Sequence, residues 1–354
     1  MIKLVSNKIE WNDIVSKFKT ADIYYAFDYL QAFKIHGDGE PILFFYKDNS
    51  ISAINAVMLR DIAVDKNFKN KLEVGKVFDL ATPYGYGGWL CEGDVNELSL
   101  ANLDVEYSNL CAENNIVSEF VRFHPLLQNA HIVDKMYKVV DLGNTIAIDL
   151  TNKDDIWDNI SSKNRNVIRK AIKSGVTIKK SNDKEIYDCF KTIYNATMDR
   201  DCAEEYYYFE DAFYDCVRES LKDNAIMYYA YMDKKVVGTA IIMFYGSFVH
   251  YHLSGAMREY MSYAPMNLLL YQVACDFCEQ GYKKFHLGGG VGSDSNSGLY
   301  KFKESFNKKG TNRFSIGKKI FDQKKYDKLI KIRKIDGKNF DETSTFFPQY
   351  RGNV

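Results

Sequence analysis

One order of elements, β-α-α-β-β-β-α-β, can be read twice along this chain, faintly in the first half and clearly in the second. A repeated α/β unit has few folds open to it, because each copy must lay its helices on its own sheet. In the second half, SSKNRNVIRKAIKSG (161–175) opens with serines, has helical spacing at Val167, Ile168, Ala171 and Ile172, and closes with glycine. Those are the start and stop signals of a short basic helix. VTIKK predicts a strand and residues 183–199 and 209–221 predict helices. AIMYYAYM, KKVVGTAIIMFY and FVHYHLSG predict three strands joined by DKK and Gly-Ser turns. Pro265 suits the first position of the next helix, and KKFHLGG is the strand after it. In the first half, helices are expected over 11–18 and 26–36, then a hairpin of ILFFY and ISAINAVML about KDNS. A strand at 77–81, a helix at 95–113 and strands at 116–123 and 137–150 follow. The join of the two copies is expected near 149–155.

At 354 residues the chain is long enough for two such domains, and its 46% hydrophobic content can fill two cores. A net charge of zero provides no global field toward nucleic acid or membrane. Local charge is uneven: residues 163–180 hold seven Lys or Arg and no acid. The seven cysteines are scattered, which points to reduced thiols in a cytoplasmic setting. Only Cys275 and Cys278 are close, at one helical face, where packing is expected rather than a metal. The N-terminal MIKLVSNKIEW has no apolar h-region, so no secretory signal is expected. The most apolar stretch, 225–253, is broken by Asp233, Lys234 and Lys235 before it reaches the ~20 residues of a membrane span.

Several segments can carry chemistry. HLGGGVGSD (286–294) reads as a phosphate cradle or as a loop that admits substrate. No Lys-Ser/Thr closes it and no G-x-G-x-x-G opens a helix there, so nucleotide hydrolysis is disfavoured. LYKFKESF (299–306) places Lys301 and Lys303 on one face of an extended segment and Tyr300 and Phe302 on the other. It is either an edge strand with solvated lysines or a cation beside an aromatic wall, able to stabilise an oxyanion. TPYGYGG puts Asp79, Thr82, Tyr84 and Tyr86 at a strand end, and its two tyrosines suggest a polar acceptor pocket that Arg122 and His124 could line. TMDRDCAEEYYYF sets Arg200 near three tyrosines, Tyr207 among them, suited to an anionic or sugar ligand or to inter-domain packing. Arg165 and Arg169 lie on the basic helix, which reads as a phosphate-attracting or simply a solvated face. No Ser/His/Asp or Cys/His spacing supports covalent catalysis.

In FDLATPYGYGG, VRFHPLL, SSKNRNVIRKAIKSGV, YNATMDRDCAEEYYYF, FHLGGG and LYKFKESF, taken in order, the chain resembles the FemAB family, the tandem-domain branch of the GNAT acyltransferases. The resemblance implies an α/β (α+β) fold of two GNAT-like domains, each a mixed, mostly antiparallel sheet flanked by helices. Their expected extents are 1–149 and 150–321, with the tail 322–354 packing on the first. It implies transfer of an aminoacyl or acyl group to an amine, with aminoacyl-tRNA or acyl-CoA as donor co-substrate and no bound cofactor. Phe302 and Lys303 map to the transfer site and Arg200 to acceptor binding. The implied partner is a cell-envelope precursor, peptidoglycan or polysaccharide, with tRNA and the inner membrane face as further contacts and no DNA.

Two departures leave the donor open. No sustained heptads mark the coiled-coil arm of some tRNA-using members, and REYMSYAPMN replaces the GNAT pyrophosphate signature R/Q-x-x-G-x-G/A. The start of the Pro265 helix, with Asn267 in its first turn, then becomes the expected donor anchor beside Arg165 and Arg169. The expected chemistry is direct amine attack on an ester or thioester carbonyl, Lys303 stabilising the oxyanion and Asp79 or a water taking the proton. The alternatives are a CoA-dependent N-acyltransferase acting on an amino sugar, and a non-catalytic envelope-precursor binding protein.

Overall fold

A computed structural model describes residues 1–336 and 340–352. The chain divides into two compact units, Met1–Leu142 with Phe314–Val354, and Gly143–Arg313. The division falls inside two strands, earlier than the expected joins at 149 and 321.

The first unit runs β1 (Ile2–Val5), α1 (Lys8–Val15), α2 (Phe27–His36), β2 (Glu40–Lys47), β3 (Ile51–Asp61), β4 (Phe78–Ala81), β5 (Leu90–Gly93), α3 (Glu97–Glu113) and β6 (Ile116–Arg122). The sheet order is β1-β2-β3-β4-β6, with β5 on β3. The KDNS hairpin forms because Asp48 accepts hydrogen bonds from the backbone of Ser50 and Ile51 at 2.7 and 2.8 Å, and from the Tyr46 hydroxyl at 2.7 Å. Its core joins Phe44, Trp89, Leu103, Tyr107, Val121 and Phe123. A buried carboxyl lies within it. Glu119 accepts from Asn55 at 2.8 Å, Tyr107 at 2.9 Å and Tyr137 at 2.6 Å, and burial pushes its pKa up.

Downstream of β6 come β7 (Lys138–Asp149), α4 (Lys153–Asn159), α5 (Ser162–Lys173), β8 (Thr177–Ser181), α6 (Lys184–Arg200), α7 (Asp211–Ser220), β9 (Ala225–Met232), β10 (Lys235–Tyr245), β11 (Phe248–Ala256), α8 (Pro265–Glu279), β12 (Lys284–Gly289), α9 (Gly298–Glu304), β13 (Thr311–Ile320) and α10 (Gln323–Asp336). The second unit's sheet order is β7-β12-β11-β10-β9-β8, antiparallel except for β11 with β12. From β8 to β12 the order is β-α-α-β-β-β-α-β, and β1 to β6 repeats it apart from β5. Alternation along β10 sends Ala240 and Ile242 into the core shared with α5 and α8, while α6 packs on β10 and β11, and α7 on β9. Cys275 is buried, and Cys278 packs against that core. α6 comes close to β11 because Gly255 has no side chain: a Cβ there would stand 2.9 Å from the Ile193 carbonyl and the Thr197 hydroxyl.

The tail returns to the first unit. β13 pairs antiparallel with β6, and Tyr326, Leu329 and Tyr350 pack on Ile62, Phe68 and Val117. At the centre of this contact Asp79, wholly buried on β4, accepts from Arg60 at 2.8 Å, Arg351 at 2.6 and 3.0 Å, and the Tyr350 hydroxyl at 2.8 Å. Arg351 also bonds Asp65 at 2.8 Å. Replacing Asp79 by Ala leaves two guanidinium groups without their shared anion. The expected loss is about 3–5 kcal/mol of unfolding free energy, measured by urea denaturation, with proteolysis of the tail reporting its release.

Candidate active site

Within the second unit, β11 and β12 pair for only three residues, Phe248, Val249 and His250 against Lys284, Phe285 and His286, and then part. β12 continues to Gly289 paired with β7. On β11 the register with β10 slips by one residue between Leu253 and Tyr251, which places His252 in a bulge. Parallel strands that separate leave backbone groups facing a notch within the sheet, a place where an extended ligand can bind.

Lys303 stands at the end of this notch. Ser297 caps α9 by accepting from the Tyr300 N–H at 3.2 Å, and the helix turns Tyr300 and Lys303 inward together. The Lys303 ammonium donates to the Gly289 carbonyl at 2.7 Å. Gly288 has φ +77°, and a Cβ there would lie 3.3 Å from Nζ, so a side chain would crowd the ammonium and strain the backbone. Burial lowers the Lys303 pKa to about 8.

The expectation of an extended 299–306 segment is thus corrected. A Lys-Phe-Lys alternation imitates period two, but the serine cap starts a helix, and successive residues diverge by about 100° around it. Lys301 is exposed while Lys303 is buried, and Phe302 lies on another side, half-buried and edge-on to Phe306 at 5.4 Å.

A second cluster forms where the first turns of α5 and α8 meet. Asn267 donates to the Asn164 carbonyl oxygen at 2.8 Å, and the buried Asn164 amide nitrogen has no hydrogen-bond partner among the described residues. α8 starts with Pro265 and has no side-chain cap. Two helix N-termini and an open amide donor favour an anion. Arg165 bonds the Trp157 and Asp158 carbonyls at 3.3 Å, and exposed Arg169 stacks over the Trp157 ring at 5.1 Å. At the other end of α6, Arg200 bonds the Ala256 carbonyl at 3.3 Å and Asp201 at 3.2 Å; Tyr207 packs edge-on to Tyr206.

Residues 162–304 match the Acetyltransferase (GNAT) domain family. The structure is similar to that of FemX, 14% identical, over 92% of this chain and 99% of that one, with a TM-score of 0.68. It is similar at 0.57 to the C-terminal domain of a protein named as a lysylphosphatidylglycerol synthetase, from Agrobacterium fabrum, 15% identical over 93% and 97% of the two chains. A protein of unknown function from Bacteroides thetaiotaomicron, 13% identical over 90% of this chain and 100% of its own, gives 0.56. The fold is FemAB-like, of the GNAT acyltransferase type. No curated protein matches the chain.

In this FemAB-like fold the first unit gathers four of the expected residues, with altered roles for two. Tyr86 is buried, contrary to its exposed look in the sequence, and packs edge-on to Tyr24 and Phe314. His124 is buried with both ring nitrogens engaged: Nε2 with Asp22 at 2.7 Å, and Nδ1 accepting from the Leu127 N–H at 3.3 Å. Both contacts fix the ring within the loop wall. Tyr84 is half-buried beside Phe33, its carbonyl fixed by the Tyr29 hydroxyl at 2.6 Å. Arg122 donates through Nε to the Gly85 carbonyl at 2.9 Å and lies 4.8 Å from Phe314 and 5.8 Å from Tyr86. Arg122 is partly exposed.

Asp79 is not placed to accept a proton. Burial pushes its carboxyl up, but Arg60 and Arg351 more than reverse that, so its pKa is lowered and its oxygens are occupied. The sequence reading passed over His250, His252, His286 and Asn164. The alternation His250-Tyr251-His252 beside a strand holding His286 was a signal available for the first three. His250 and His286 lie opposite each other with ring centroids 5.6 Å apart. Burial, with the His250 charge adding to it, holds the His252 pKa down at about 3. Between 6.5 and about 3 the unfolded chain binds a proton at His252 that the folded chain refuses, so acid in that window reduces stability. His252→Gln should flatten the fall in denaturation midpoint between pH 6.5 and 4, and an unchanged slope would remove this assignment.

Proposed function

We propose that the chain is an acyltransferase that moves an aminoacyl or acyl group, from aminoacyl-tRNA or acyl-CoA, to an amine of a cell-envelope precursor, peptidoglycan or polysaccharide. The observation that carries this reading is the buried Lys303 ammonium at the notch between β11 and β12, hydrogen-bonded at 2.7 Å to Gly289. The names of two similar structures, FemX and a lysylphosphatidylglycerol synthetase domain, favour an envelope acceptor. The domain family's description favours acetyl-CoA among the donors.

In the proposed reaction the neutral amine attacks the carbonyl carbon of the ester or thioester. The new C–N bond forms, the tetrahedral oxyanion collapses, and the C–O or C–S bond of the donor breaks. A water takes the amine proton and the leaving oxygen or sulfur receives one. No covalent enzyme intermediate is involved. Lys303 faces the oxyanion, while alignment of the two substrates supplies about 7–11 kcal/mol where geometry is good. The Asn164–Asn267 junction with Pro265, Arg165 and Arg169 anchors the donor's phosphates. Each unit offers acceptor contacts of its own, Arg122 and Tyr84 in the first and Arg200 and Tyr207 in the second. Phe302 stays a neighbour of the transfer site. The protein works in the cytoplasm, where both donors occur.

Lys303→Met should lower kcat by about 10²–10³-fold with KM nearly unchanged. Wild-type rate should fall as pH rises through about 8, where Lys303 loses its proton. Parallel assays with aminoacyl-tRNA and acetyl-CoA decide the donor. No transfer from either, to any amine of a peptidoglycan or amino-sugar acceptor, would leave a binding protein.

A further inference from the structure

The last turn of α6 holds the end of β11 with two side chains. Met257, just past β11, donates its N–H to the Val237 carbonyl of β10 at 2.9 Å. Hydrogen-bonded positions alternate in an antiparallel pair, so Ala256, in register with Gly238, turns its own N–H and C=O away from β10. The register with β12 ends at His250, well short of Ala256. Two residues one turn apart on α6 stand in for the missing strand. The Ala256 N–H donates to Thr197 Oγ1 at 3.3 Å, and Arg200 Nη1 donates to the Ala256 carbonyl at 3.3 Å. Thr197 is buried and spends its hydroxyl proton on the Ile193 carbonyl at 2.9 Å, which leaves the oxygen as the acceptor for Ala256.

The same strand position bears on α8. A Cβ on Gly238 would stand 2.8 Å from Met266 Sδ and 3.7 Å from Pro265 Cβ, so the first turn of α8 rests on the β10 residue that partners Ala256. Between Ala256 and Pro265 the chain makes the 3₁₀ segment Arg258–Tyr263 and the left-handed Ala264. The two ends of this link are thus fixed on paired strands, Ala256 by α6 and Pro265 by Gly238. A shift at Ala256 is passed along the link to the place where Asn267 meets Asn164.

We propose that Thr197 is a positioning residue for the donor. Its hydroxyl holds Ala256 and, through Arg258–Tyr263, sets the start of α8 against α5. This rests on the reading of that junction as the donor anchor.

Thr197→Val keeps the size of the side chain and removes both hydrogen bonds, while Thr197→Ser keeps them. Calorimetric titration of the full chain with CoA and with deacylated tRNA reads donor binding, and amide hydrogen exchange over residues 256–267 reads the link. In Thr197→Val the donor that binds wild type should bind at least about fivefold more weakly. Exchange over 256–267 should quicken about tenfold. Thr197→Ser should stay within about twofold of wild type in both, and the acceptor KM should not move in either variant. If the valine variant does not fold, Thr197→Ala removes the same bonds and takes its place. Wild-type donor affinity with a lowered melting temperature would make the bond purely structural and overturn the proposal. Unchanged exchange over 256–267 overturns it, as does a loss in Thr197→Ser as large as in Thr197→Val. Wild type that binds neither CoA nor tRNA sinks the proposal together with the donor anchor. Wild type that binds a donor, responds to these variants as expected and yet transfers nothing removes only the proposed function.

Discussion

Two parallel strands that bond for three residues and then diverge create a demand that the surrounding residues must meet. Past His250 and His286, backbone groups of β11 and β12 no longer face each other, and buried polar backbone is costly unless it finds partners. The Gly289 carbonyl meets this demand with a lysine, which is itself costly to bury. Desolvation of Lys303 thus follows from the parting of the strands, and its lowered pKa follows from desolvation. A cation held in a dry notch stabilises a nearby developing negative charge more strongly than one in water. Glycine at position 288 is part of the same arrangement, since a side chain would press on the ammonium.

Helix termini supply the complementary feature. α5 and α8 bring their first turns together through one amide-amide bond between Asn164 and Asn267. The usual glycine-rich signature is replaced there by REYMSY, which forms a short 3₁₀ turn ending in a left-handed Ala264 before Pro265. In the proposed donor site, two helix starts and an asparagine stand where that signature would be. In contrast, Asp79 shows how a buried carboxylate at a strand end can serve the fold. Its low pKa comes from Arg60 on β3 and from Arg351, which ties the tail to β4, and the same contacts remove it from proton transfer.

Much of the fold was legible because period-two and period-3.6 patterns, Ser161, Gly175 and Pro265 act locally. The hairpin at KDNS and the basic helix followed from such signals, and Ser162–Lys173 forms as read. α9 was misread because three alternating residues satisfy either period, and the deciding Ser297 lay outside the segment considered. The site was legible only in pieces. Lys303 came from a family resemblance, since nothing in its local spacing distinguishes it from Lys301. The tyrosines of the 82–88 loop looked exposed because turns usually are, yet Tyr86 is enclosed by aromatic rings distant in sequence.

The sequence by itself determined the repeated unit, the order of its strands and helices, and the starts of α5 and α8, because each depends on backbone propensities within a few residues. By contrast, α1 begins at Lys8, ahead of its expected start at 11. Only the tertiary structure decided which charges are buried and which partners they meet. Asp79 meets Arg351 across 272 residues, and Lys303 meets Gly289 only because α9 folds back beside β12. Such pairings are set by where the sheet and helices carry distant residues, and burial then fixes the ionisation that local spacing leaves undetermined.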